Sequence, residues 1–286
     1  MSLIIFSHAN SFPASTYGVL FKSLRARGHA VRAVERFGHD PRYPVTSNWP
    51  YLVQQLADFA TPEIQRHGQG AWLVGHSLGG FLSLMCAARH PRLGGEAVRG
   101  VVLIDSPLLG GWRASALELV KHTQLVGSIT PGKVSRRRRN AWPDSAAAQE
   151  YFLSKRAFAD WDPQVLRDYI HHGTVDHIDV QGQPQRTLAF DRDIETTIYN
   201  TLPHNLGRLL RRHPLGCPVA FIGGTRSLEM KQVGMAMTQR VVGRDHPERF
   251  SMIEGSHLFP MERPQETANA IDAMLQTLTR KQGHPV

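Results

Sequence analysis

Six short apolar runs, each closed by glycine, proline, histidine or charge, restrict the folds open to this 286-residue chain more than any other feature. They are Leu3–Phe6, Ala30–Val34, Ala71–Gly75, Gly100–Asp105, Pro218–Gly224 and Arg249–Glu254. Near-continuous apolar runs of this length, without polar alternation, are strands buried on both faces. Helical spacing recurs between them. Tyr17, Leu20, Phe21 and Leu24 stand at i, i+3, i+4 and i+7, as do Leu78, Phe81, Leu82 and Met85, and Ile271, Met274, Leu275 and Leu278. Strands that alternate with helices predict an α/β fold: a mostly parallel sheet of about six strands with helices on both faces.

The alternation fails between residues 106 and 213. That stretch carries Trp112, Trp142, Tyr151, Phe152, Phe158, Trp161 and Tyr169, with helix-like segments near Ser115–Leu125, Ser145–Phe158 and Pro163–His172. A loop of this length without structure of its own is improbable. The expected organisation is therefore a core of residues 1–105 and 214–286 with an inserted helical cap over residues 106–213.

Composition narrows the class. Hydrophobic residues make up 41% and charged residues 20%, as in an ordinary globular protein. No apolar stretch approaches the roughly 20 residues of a spanning helix, and the apolar start is too short and lacks a cationic lead, so a soluble, unexported protein with no membrane partner is expected. Cys86 and Cys217 fall in apolar surroundings that suit reduced thiols, which points to the cytoplasm. The formal charge of +9 would suit an anionic partner, but no interleaved basic and aromatic surface accompanies it, so nucleic acid is rejected as the main partner.

Gly75-His76-Ser77-Leu78-Gly79 fits G-x-S-x-G directly behind an apolar strand and ahead of an amphipathic helix. In that setting a sharp strand-to-helix turn pushes the serine Oγ out at the top of a sheet. A serine hydroxyl needs a base to take its proton. His257 lies between the last strand and the last helix, where residues at strand carboxyl ends converge. His8 and His76 compete for that role but sit beside their own strand ends, where shaping the turn suits them better.

With "SHAN" at Ser7–Asn10, "GHSLGG" at 75–80 and "GSHLFPMERP" at 255–264, the chain resembles the α/β-hydrolases along its whole core. The order Ser, Asp, His agrees with that family. Ala9 departs from the family's usual glycine, and the chain opens at what would be the third strand, so six core strands are expected. The family's usual acid position, after the penultimate strand, holds Ser227. The resemblance leaves two substitutes: Asp105, which matches relatives with the acid after the strand that follows the nucleophile helix, and Glu229. It also implies an oxyanion site made by the amides of Leu78 and Asn10, with Ala9 as a near alternative to Asn10.

The expected function is a cofactor-free serine hydrolase that cleaves a carboxylic ester or related acyl bond of a small apolar or aromatic substrate. Catalysis is assigned to Ser77, His257 and Asp105, and substrate lining to Trp142, Trp161 and His76. Two rival readings use the same residues: a cofactor-free C–C or C–N lyase or perhydrolase, since fold does not dictate reaction, and a non-catalytic ligand-binding relative, suggested by Ser227. Arg136–Arg139 reads as a solvated helix face rather than an anion clamp. "HHGTVDH" (171–177) lacks the i, i+4 histidine pair of a metal helix, so no metal is expected. The protein is expected to be a monomer or homodimer.

Overall fold

A computed structural model describes residues 1–110 and 138–282. Trp112, the helix expected near Ser115–Leu125, and Arg136 and Arg137 lie outside the described residues. The strands are β1 (Leu3–Ser7), β2 (Ala30–Ala33), β3 (Ala71–His76), β4 (Arg92–Leu93), β5 (Glu96–Ala97), β6 (Gly100–Ile104), β7 (Ala141–Trp142), β8 (Thr174–Ile178), β9 (Pro184–Leu188), β10 (Val219–Gly224) and β11 (Phe250–Ile253). Six of them form one sheet in the order β11-β10-β6-β3-β1-β2, with every neighbouring pair parallel.

Alternate strand residues feed two separate apolar layers. Leu3, Ile5, Leu73, Val101, Leu103 and Phe221 face the helices α2 (Pro50–His67) and α3 (Leu78–Arg89). Ile4, Phe6, Trp72, Val74, Val102, Ile104 and Ile222 face α1 (Gly18–Ala26) and the closing helix Pro264–Gln282. Burial on both sides removes the need for polar alternation, which is why these strands were legible as apolar runs. Each such fully buried aliphatic or aromatic side chain contributes roughly 1.5–3 kcal/mol.

Helix α2 was not foreseen. Pro62 stands inside it, and an interior proline ordinarily ends a helix. The helix survives because Leu52, Val53, Leu56, Ala57, Ala60 and Ile64 all bury against the sheet. Pro50 sits at its start, and Gly68, at φ 72°, closes it in the left-handed conformation.

The segment after residue 138 differs from the purely helical expectation. Helices run over Ser145–Leu153, Pro163–His172, Arg192–Asn200 and Leu206–Arg212. β7, ahead of the first of them, joins β9 and β8, between the second and third, in a three-stranded antiparallel sheet. Its strands are short and largely polar, and they turn at Gly182, so no apolar run marked them. The first three helices are capped by Asp144, Asp162 and Asp191, whose carboxylates accept backbone N–H groups of the first turn.

Cys86 and Cys217 form no disulfide; burial pushes their thiols up to about 12 and about 11, so they act as small apolar groups. No helix among the described residues is long and apolar enough to cross a membrane.

A Cβ on Gly79 would collide with the Ser7 carbonyl in β1, whereas one on Gly216 would meet nothing. Gly79→Ala is expected to destabilise the protein by about 1–3 kcal/mol or more, because neither backbone can retreat. Gly216→Ala should stay within about 0.5 kcal/mol of the parent. Urea unfolding of the two variants checks this.

Candidate active site

The strand order reverses direction at β1, with β2 on one side and β3 on the other. In open parallel sheets, that switch point is where a crevice forms beyond the strand carboxyl ends. Asn10 follows β1 and Ser77 follows β3, so the two emerge side by side, with Ser7 in register with Gly75. Asp105 follows β6, the next strand over, and His257 follows β11 at the sheet's far edge.

Ser77 itself has φ 54° and ψ −116°, a conformation side-chain-bearing residues rarely adopt. Such strain costs about 1–3 kcal/mol and persists only where the surroundings impose it. Here its N–H donates to the Ile104 carbonyl at 2.9 Å, and its carbonyl accepts from Ser106 Oγ at 2.9 Å and from the Gly80 N–H at 3.0 Å. A Cβ at Gly75 would run into the backbone of Gly79 and Gly80. The glycines are thus the condition for the turn, not merely part of a pattern.

His257 Nε2 lies 2.9 Å from Ser77 Oγ, and its Nδ1 lies 2.6 Å from Asp105 Oδ2. Because a carboxylate can only accept, Nδ1 carries the proton and Nε2 presents a lone pair to the serine hydroxyl. Asp105 is fully buried, yet its carboxylate is well supplied with donors. The Gly224 N–H reaches Oδ1 at 2.7 Å, and the Ser227 hydroxyl reaches Oδ2 at 2.5 Å. Glu229 also faces Nδ1, at 3.7 Å, but it is a half-exposed side chain without those backbone anchors. Ligand-type atoms of Asp105, Glu229 and His257 lie within 4.8 Å of one another. With Nδ1 protonated, the ring has no lone pair on that side to offer a cation.

Leu78 opens α3, so its amide is among the first four N–H groups that a helix leaves without an internal partner. The Ala9 amide, by contrast, is engaged: it donates to the Tyr17 hydroxyl at 3.0 Å. Asn10 is buried, and its Nδ2 donates to the Glu195 backbone carbonyl at 3.1 Å, while no hydrogen-bond partner reaches its Oδ1.

His76 is fully buried behind Ser77, where Tyr17 Oη and the His257 carbonyl flank its two ring nitrogens. Burial, then the neighbouring His257, holds its pKa well below the ordinary value. Trp142 packs against Tyr151 and Phe152, and Trp161 against Phe12, Phe158 and Tyr169. All three residues assigned to substrate lining are therefore enclosed by protein: both indoles are at most 5% exposed, and His76 shapes the turn instead.

Arg138 corrects the expectation of a solvated arginine face. Its guanidinium donates to Tyr169 Oη at 2.6 Å and lies 3.5 Å from the buried Glu195 carboxylate. Arg139 stacks over Trp142 and Tyr151. Burial, then the nearby Glu195, pushes the Tyr199 hydroxyl up to about 12. From sequence, Tyr17, Ser106, Glu195 and Tyr199 carry no site role and Arg138 reads only as part of a solvated face; most of their contacts pair residues far apart in the chain.

A family model described as the alpha/beta hydrolase family matches residues 4–270. A comparison with curated proteins finds no match. Among solved structures, E-2-(acetamidomethylene)succinate hydrolase is similar at 22% identity and TM-score 0.63, over 96% of this chain and 91% of that one. A carboxylesterase structure from the ammonia-oxidizing thaumarchaeon Nitrososphaera gargenis is similar at 20% identity and TM-score 0.60, over 98% and 92%. Epoxide hydrolase A from Mycobacterium thermoresistibile is similar at 16% identity and TM-score 0.64, over 97% and 92%. At these identities the likeness is one of fold.

His8 gives a pH prediction. It is fully buried, its Nδ1 donates to the Ala9 carbonyl at 2.8 Å, and its Nε2 accepts the Phe37 N–H at 3.1 Å, so it fits only as the neutral ring. Burial lowers its pKa from 6.5 to about 4, against the pull of the Ala9 carbonyl. Between those values the unfolded chain binds a proton that the folded chain refuses, so the stability present above pH 6.5 is lost as pH falls towards about 4. The loss from this residue is roughly 3 kcal/mol. Denaturant unfolding across that window should show the fall, and His8→Gln should flatten it.

Proposed function

The chain belongs to the alpha/beta hydrolase family, and from that premise we propose that it is a serine hydrolase cleaving a carboxylic ester or related acyl bond through an acyl-enzyme. The observation that carries the reading is the unbroken line from Ser77 Oγ through the His257 ring to Asp105 Oδ2, with steps of 2.9 and 2.6 Å. The fold likeness to a hydrolase of an acetamido compound and to a carboxylesterase agrees with it.

In this mechanism His257 Nε2 takes the Ser77 proton as Oγ attacks the substrate carbonyl carbon. The C=O electron pair moves onto oxygen, where the Leu78 and Asn10 amides donate to it. Collapse expels the alcohol, which leaves with the proton held by His257, and the acyl group stays on Ser77. Water then gives a proton to His257 as its oxygen attacks the acyl carbon; collapse breaks the bond to Oγ, which takes that proton back from His257, and the carboxylic acid leaves. Asp105 keeps Nδ1 protonated and stabilises the ring while it is positive. Ser227 and the Gly224 amide hold that carboxylate in place, which favours Asp105 over the looser Glu229 for the role.

Residues 106–213 form the proposed cap. Their aromatic packing against Phe12, next to Asn10 and Ser11, supports a role over the site and a preference for apolar or aromatic acyl groups.

A fluorophosphonate probe is expected to add its mass to the peptide bearing Ser77, and the protein should hydrolyse p-nitrophenyl acyl esters. Asp105→Asn should lower kcat by about 10⁴, as expected when the imidazole loses its tautomer partner. Glu229→Gln should change it by no more than about threefold, since a half-exposed charge couples weakly. A larger loss at Glu229 than at Asp105 would transfer the acid role. No probe adduct and no ester turnover in the parent protein would end the reading.

A further inference from the structure

A second line of hydrogen bonds runs behind the first and shares no atom with the reacting groups. The Ala9 N–H donates to Tyr17 Oη at 3.0 Å, Tyr17 Oη lies 2.8 Å from His76 Nδ1, and His76 Nε2 lies 2.9 Å from the main-chain carbonyl of His257. Tyr17 is 2% exposed and His76 is fully buried. We propose that Tyr17 and His76 are positioning residues, which lock the loop carrying Asn10 and the loop carrying His257 into one register through a chain whose protons are all fixed in direction. The proposal rests on the serine-hydrolase reading for its effect on rate, but not for the state of the chain itself.

The direction follows from the two ends. A backbone N–H can only donate and a backbone carbonyl can only accept. His76 Nε2 faces the carbonyl, so it must carry the proton; a bare Nε2 would set one lone pair against another. Burial keeps the His76 ring neutral, so Nδ1 stays unprotonated; the rings beside it, His257 and His8, and the Tyr17 phenol supply no negative charge that would hold a second proton. Nδ1 is therefore an acceptor, and the Tyr17 proton goes to it while the Tyr17 oxygen accepts from Ala9. No alternative arrangement satisfies all four groups. In a dry interior, reversing any link leaves an unpaired buried donor or acceptor at a cost of about 1–3 kcal/mol.

The chain joins three pieces of backbone that sequence separates widely: residue 9 after β1, residue 76 at the end of β3 and residue 257 after β11. These are the pieces that deliver the proposed oxyanion amide, the serine and the imidazole. His257 is held at its ring by Asp105 and at its carbonyl by His76, so the ring has little freedom to swing from Ser77 Oγ. A misplacement of about 1 Å at a reacting group costs on the order of 10²-fold in rate. Tyr17 also packs tilted against Phe6 and stacked against Phe21, with centroids at 4.8 and 6.1 Å, contacts that a phenylalanine would keep.

The test uses the full chain and the variants Tyr17→Phe, His76→Gln and His76→Leu. Nitrogen-15 NMR of the folded parent should show His76 as a single Nε2–H tautomer that does not titrate between about pH 5 and 9. Tyr17→Phe should lower kcat for a p-nitrophenyl ester and the rate of fluorophosphonate addition by about tenfold or more, with KM within about twofold. It should also broaden or shift the His76 signals. His76→Gln, whose amide nitrogen can donate to the His257 carbonyl while its oxygen accepts from Tyr17, should regain most of the rate that His76→Leu loses. Titration of His76 in that range, or the opposite tautomer, overturns the proposal. So does a folded Tyr17→Phe with kcat within about twofold of the parent, or a glutamine no better than leucine. If Tyr17→Phe does not fold, the parent's tautomer and the His76 pair decide. A parent that takes no fluorophosphonate at Ser77 refutes the hydrolase reading instead, and the NMR result then judges the chain alone.

Discussion

Ser77 is held where its own backbone preference would not put it, and the rest of the site follows from what holds it there. The turn needs α3 to start almost against β1, so the Gly79 Cα must approach the Ser7 carbonyl with no side chain between. It also needs a partner for each polar group the turn disrupts. The Ile104 carbonyl takes the Ser77 N–H, and Ser106 supplies a hydroxyl to the Ser77 carbonyl. Both come from the end of β6, the strand whose next residue is Asp105. The strand that supports the serine thus also fixes the origin of the carboxylate, and the distance between them is set by sheet register rather than by flexible loops.

Asp105 itself is strained, at φ 41°, and its carboxylate is buried. A buried anion is tolerable only when hydrogen bonds replace its water shell. Three donors do so, and they come from three places: Gly224 at the end of β10, Ser227 in the following loop, and His257. Ser227 has a double task. Its oxygen accepts the Met230 N–H at the start of the Leu228–Val233 helix, while its proton goes to Asp105. A hydroxyl can do both; a carboxylate in its place could cap the helix but would repel Asp105. This accounts physically for a serine standing where the family resemblance leads one to expect an acid.

The features legible in sequence were those that depend on local pattern. Six strands buried on both faces leave apolar runs, and the elbow leaves three glycines and a serine in fixed order. Asp105 closes one such run and His257 comes shortly after another, and the family resemblance pointed to those two places. Helix α2 escaped because Pro62 argues against a helix locally while burial of Leu52, Leu56 and Ile64 decides for it globally. The sheet of β7, β8 and β9 escaped because a strand exposed on much of its surface carries no apolar signature. The partners of buried polar groups escaped for a third reason. Tyr17 reads as one more member of a helical apolar face, since nothing local shows that its hydroxyl meets Ala9 and His76. Arg138 sits in a run of four arginines that reads as surface, and only the fold brings Glu195 and Tyr169 to it.

That last contact bears on how far the core and residues 138–212 can be treated as independent. Arg138 is largely enclosed, and Glu195 more so, with one carboxylate oxygen at 3.5 Å from the guanidinium and the other without a partner. A buried pair of this kind adds little net stability, yet removing either partner leaves an uncompensated charge at a cost of about 3–5 kcal/mol. Its effect is therefore on placement: the helix Arg192–Asn200 is held where Glu195 meets the Arg138 guanidinium, which Tyr169 also binds. The same residue's backbone carbonyl accepts from the Asn10 side chain. The loop proposed to bind the oxyanion is thus clamped on one side by Tyr17 through Ala9 and on the other by Glu195. A displacement of the Arg192–Asn200 helix would act directly on Asn10, which ties that helix to the geometry of the loop after β1.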